Sequence, residues 1–204
     1  MAKNNAATAN DQSARVKKLL SIKGIFIIYH PKNFVRTFPF VAALLIAIIY
    51  AVFTLVYHLD QEKILAYILE KYLNVFPNML GFSLGGYAII VGFGNTNFLK
   101  RIALSADENE FSMFETLSAI FAFNLISQAV VLLTALFFDF LYFVNRTFNF
   151  GIDKGMAEVV NCVAVSTLIF LGTWTLFVIP YLISNIFIFG EAHHITLKHE
   201  RSKA

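Results

Sequence analysis

The chain has 204 residues, of which 58% are hydrophobic and 14% charged, with a formal net charge of +3. A soluble domain carries roughly 25% charged residues. Together with 23 phenylalanines and a mean hydropathy of +0.67, that shortage excludes an ordinary water-soluble enzyme and points to a surface that meets lipid. The single cysteine, Cys162, excludes an intramolecular disulfide.

Residues 1–14 are polar and rich in alanine and asparagine, a composition that cannot bury a core and predicts disorder. Residues 15–37 form a basic cytoplasmic segment. Within it, Lys17, Lys18 and Lys23 alternate with Leu19, Leu20 and Ile22, which suits either a helix lying on an anionic leaflet or a plain positive flank.

Four hydrophobic stretches follow, and they predict an all-α, polytopic membrane domain over 38–190. The first, 38–57, has no charge and matches the ~20 residues a helix needs to span a bilayer. Next, residues 61–76 place Ile64, Leu65, Ile68, Tyr72 and Phe76 on one stripe. That stripe predicts a separate periplasmic amphipathic helix resting on the membrane or a partner. Pro77 then stands just ahead of the second span, 78–99, where its missing amide hydrogen does little harm.

The second span carries Gly81, Gly85, Ala88 and Gly92 at spacings of four, three and four. They share one helical face, and small residues there let a second backbone approach closely, within the bundle or between copies. Asn95, Thr96 and Asn97 close the span and leave open a pore or hinge. No third glycine or preceding strand makes a nucleotide fingerprint of this region.

The third span, 113–144, begins at Ser112 and Glu115, an S-x-x-E capping box that Ser105 and Glu108 repeat in the loop before it. Asn124, Gln128 and Asp139 fall near one face of this span. Intramembrane polar groups of this kind hydrogen-bond neighbouring helices or mark a sensing or ion path. The fourth span, 159–190, contains Pro180, which predicts a bend, and offers Asn161, Thr167, Thr173 and Thr175 as polar partners. Residues 191–204 form a tail whose His193, His194 and His199 lack metal-ligand spacing.

Lysine and arginine distribute unevenly over the connections. Seven lie before the first span, two (Lys100, Arg101) after the second and three in the tail; two follow the first span and two the third. The bias predicts both termini in the cytoplasm of a bacterial inner membrane, with the first span retained and no cleaved signal. Lys17, Lys18, Lys23, Lys100 and Arg101 are then the candidates for cytoplasmic docking or lipid contact. Neither a nucleophile elbow, a P-loop nor a CxxC occurs, and the acidic and histidine side chains sit at ends and loops. No catalysis, cofactor or metal is expected.

The four-span plan, the basic start and the string GFSLGGYAIIVGFGNTNF at 81–98 resemble the membrane subunits of the Kiwa anti-phage defence system, the KwaA family. That resemblance implies a homo-oligomeric sensor, a tetramer, that detects phage at the envelope. It also implies a cytoplasmic DNA-binding partner subunit, with no nucleic acid bound by this chain itself. A pore-forming or depolarising effector is the competing expectation.

Overall fold

The computed structural model describes Ile25 and residues 37–93, 112–148 and 153–201. Those residues form four helices and no strand: α1 (Phe38–Tyr57), α2 (Gln61–Phe93), α3 (Met113–Phe148) and α4 (Lys154–Arg201). Lys17, Lys18, Lys23, Lys100 and Arg101 lie outside them, as do Asn95–Asn97, Ser105 and Glu108.

Local chemistry sets the helix ends. Pro39 occupies the first turn of α1, whose amides at Phe40 and Val41 bond back to the Thr37 carbonyl. The helix stops at His58, which adopts a left-handed conformation at φ 48°. Asp60 then receives the Lys63 amide at 3.2 Å and pairs with the Lys63 ammonium at 2.7 Å. Those contacts hold its carboxyl below the usual carboxylate range. Buried Gln61 locks the α1–α2 corner, accepting from the Tyr50 hydroxyl at 2.7 Å and donating to Thr54 and to the Leu59 carbonyl. The expected capping box of α3 is present: Glu115 accepts from the Ser112 amide at 2.8 Å, and Ser112 Oγ from the Glu115 amide at 3.2 Å.

Three helices are long and apolar enough to cross a membrane, over Gln61–Gly92, Phe114–Phe148 and Lys154–Glu191; α1 offers a shorter apolar helix, Phe38–Thr54. Their outer faces carry large exposed apolar side chains, among them Phe82, Leu133, Phe143 and Phe187. Apolar exposure on that scale belongs against lipid. The chain is built as a membrane-embedded protein.

One expectation is corrected here. The stretch 61–76 is not a separate amphipathic helix, because α2 runs unbroken from Gln61 through Pro77 to Phe93. Its apolar stripe is already covered by its own chain. Leu65 and Leu69 are buried with Ala135 of α3 and with Ala164, Val165 and Leu168 of α4, while Ile64, Ile68 and Tyr72 pack around them. The Asn78 side chain donates to the Asn74 carbonyl at 2.8 Å, next to the carbonyl that Pro77 leaves without its amide partner. The bond ties down the turn beside the proline, and a membrane helix carries an interior proline where the surrounding structure accommodates the freed group. Helix α4 also stays helical through Pro180, and in the turn that follows Ser184 and Asn185 donate back to the Pro180 and Tyr181 carbonyls. It continues past Gly190, so residues 191–201 of the tail extend the same helix.

The helices pack α1 on α4, α2 on α3, and α3 and α2 on α4, so α4 touches all three others. Edge-to-face pairs Phe38–Phe177 and Phe40–Phe170 join α1 to α4 in antiparallel order. Tyr87 donates to Ser118 at 3.2 Å near one end of the α2–α3 pair, and Tyr142 to Glu62 at 3.4 Å near the other.

Candidate functional site

Two apolar clusters fill the bundle at different levels. One joins Leu117, Ile120 and Phe121 to Leu182 and Phe189; the other is the Leu65 to Leu168 cluster described above. Between them lies a polar layer. Gln128 Nε2 donates to Ser83 Oγ at 3.0 Å, and Asn124 Nδ2 points to the same oxygen at 3.5 Å. All three side chains are buried: Asn124 is 0%, Gln128 1% and Ser83 8% exposed. Asn124 and Gln128 are one turn apart, so α3 delivers both to one side.

The layer is only partly satisfied. Among the described residues, Asn124 Oδ1 and Gln128 Oε1 have no hydrogen-bond donor, and buried Thr175 Oγ1 on α4 has no partner. An unpaired buried polar group costs about 1–3 kcal/mol. Three polar groups converging on one level therefore favour the register in which Ser83 takes up two of the amide donors. Amides and hydroxyls do not titrate near neutral pH, so the layer fixes alignment and offers no acid–base chemistry. The Ser127 hydroxyl adds nothing across helices, since it bonds back to the Phe123 carbonyl at 2.9 Å.

Asp139 is not part of this arrangement. Half-buried on α3, it lies eleven residues beyond Gln128, about 16 Å along the axis, and the hydrogen bonds of the layer do not reach it. By helical phase the three do fall near one face of α3, but Asp139 stands at a different level from the other two. Ser83 was not anticipated. Its signal was the heptad-like recurrence of Leu65, Leu69, Tyr72, Phe76, Ser83, Tyr87 and Ile90 on the opposite side of α2 from the glycines.

The glycine face itself is open. Among the described residues, Gly81, Gly85 and Gly92 have nothing within 4 Å of where a Cβ would stand, and Ala88 is exposed. Among those residues the small face therefore packs against no other helix of this chain. The described glycine that is laid against another helix is Gly172 on α4. There the Tyr72 phenol lies on the helix backbone and donates to the Leu168 carbonyl at 3.0 Å, and a Cβ at Gly172 would run into its ring and hydroxyl. Among the described residues no group of three or more His, Cys, Asp or Glu side chains is placed to hold a metal.

Compared with known proteins, the chain matches no family model, no curated protein and no solved structure.

Proposed function

We propose that this chain is a four-span inner-membrane subunit with both ends in the cytoplasm. It assembles with copies of itself, as a tetramer, and relays an envelope disturbance to a cytoplasmic partner. As the Kiwa resemblance implies, the disturbance is phage contact and the partner a DNA-binding defence subunit. The observation that carries the reading is the division of α2. One face packs against α3 and α4, while Gly81, Gly85, Ala88 and Gly92 stand open on the other. In lipid, where no hydrophobic force drives helices together, a small-residue face is the surface on which another helix gains close contact.

The polar layer weighs against a pore through the single bundle. Asn124 and Gln128 are sealed between two apolar clusters, so neither lines a water path. The test is affinity purification of the chain from mild detergent, with and without phage challenge. Stoichiometric recovery of a soluble DNA-binding protein is the expected result. Absence of any partner, with ion conduction by the purified chain in liposomes, would replace this reading with the pore.

A further inference from the structure

A cavity of about 490 Å³ opens at the end of the bundle where α2 begins, α3 ends and α4 begins. Its volume falls in the ~300–1,000 Å³ range of cavities that hold small organic ligands. The lining is divided by chemistry. Leu65, Phe138 and Ala164 form an apolar floor continuous with the buried cluster, whereas Glu62, Arg146 and Asn161 supply polar groups. Glu62 and Arg146 form no ion pair with each other among the described residues, although nearby Lys63 and Asp60 do. Glu62 accepts a long bond from the Tyr142 hydroxyl at 3.4 Å and makes no direct ion pair among the described residues. The acid and the base on the wall remain available to something else.

The position in the bundle narrows what that is. The cavity sits at the ends of three apolar helices, the level at which hydrocarbon gives way to headgroups. We infer that it binds one phospholipid with a zwitterionic ethanolamine headgroup. Arg146 takes the phosphate, Glu62 takes the ammonium, and part of an acyl chain lies against Leu65, Phe138 and Ala164. A guanidinium matches phosphate geometry, and a primary ammonium donates hydrogen bonds that a choline cannot. Phosphatidylglycerol would satisfy Arg146 through its phosphate but bring only a neutral glycerol to Glu62, leaving that carboxylate without a cation.

This inference rests on the bundle lying in a bilayer, and not on the sensing role. It is tested by native mass spectrometry of the full chain in detergent, with phosphatidylethanolamine, phosphatidylcholine and phosphatidylglycerol of identical acyl chains at equal concentration. Phosphatidylethanolamine should be retained about threefold over the other two, the scale of partly exposed charge contacts. Glu62→Gln should erase its advantage over phosphatidylglycerol, and Arg146→Gln should lower retention of all three lipids. A plug, Ala157→Trp, should abolish retention while helicity by circular dichroism is kept. Equal retention of the three lipids, or ratios unmoved by both charge variants, would overturn the site. Recovery of the chain from the soluble fraction of cells would instead overturn the membrane reading beneath it.

Discussion

Gly85 and Gly172 are both interior helix residues in apolar surroundings, and the structure assigns them opposite situations. At Gly85 on α2 a side chain would meet open space; at Gly172 on α4 it would strike Tyr72 of α2. The first belongs to a repeated pattern of small residues, the second stands alone in the string LGTW. A glycine's neighbours in sequence thus say little about whether its missing Cβ is used within the fold. What matters is whether a large side chain from another helix is laid on the backbone there, as the Tyr72 phenol is on its way to the Leu168 carbonyl.

The comparison is broken most directly by Gly172→Ala. Overpacking a filled site costs about 1–3 kcal/mol, and the methyl must displace Tyr72 ring atoms held between α3 and α4. A lowered unfolding midpoint in detergent is expected, with partial recovery when Tyr72→Leu is added. An unchanged midpoint for the single variant would mean that Tyr72 moves aside freely. Next in size is Ser83→Ala. It removes the acceptor shared by Gln128 and Asn124 and should cost about 1–2 kcal/mol, because two buried amide donors lose their partner. The flanking side chains, Phe82 and Leu84, are apolar and exposed, so neither offers a substitute acceptor. Tyr72→Phe keeps the ring on Gly172 and deletes only the bond to the Leu168 carbonyl. Interhelical hydrogen bonds in membranes average about 0.6 kcal/mol, so the loss should be correspondingly small. A loss as large as that of Gly172→Ala would show that the hydroxyl, and not the ring's fit, holds α2 on α4.

Much of the fold was legible because hydrophobic length and capping are local. The run at 38–57, the Ser112–Glu115 box and the start of α3 at Met113 all stand where the sequence put them. The pairing of Asn124 with Gln128 on one face follows from one helical turn, and that too was readable. Misreading began where a local rule met a distant partner. The 61–76 stripe looked unpartnered because α3 and α4, which cover it, begin only at Met113 and Lys154, well after the stripe ends at Phe76. Pro77 looked like a boundary, yet Asn78 supplies a side-chain donor at the disturbed turn. Gly172 carried no signal because its partner Tyr72 lies 100 positions earlier, and Ser83 was overshadowed by the glycines flanking it on the opposite face.

The smallest expected effect is also the one that separates packing inside the chain from assembly between chains. Gly85→Ala adds a methyl into open space and replaces the least favourable ordinary helix residue with the most favourable. The fold of the single chain should therefore be unharmed, or stabilised by at most about 0.5 kcal/mol, less than the aqueous helix scale gives. Gly85→Leu goes further on the same face. It too should leave the unfolding midpoint of the isolated bundle within error, since no described element of this chain approaches the site. If the open face receives another copy, however, the leucine holds the two backbones apart where only hydrogen fitted, and the assembly should fall to a smaller species by light scattering after size exclusion in mild detergent. Ile90→Leu, on the side of α2 that packs against the Phe121 cluster, is the volume-conserving control and should change neither measurement appreciably. Loss of assembly with an intact midpoint would assign the glycine face to contacts between copies. An unchanged assembly with an intact midpoint would leave it to lipid, and the distinction between Gly85 and Gly172 would then be one between lipid contact and tertiary fit.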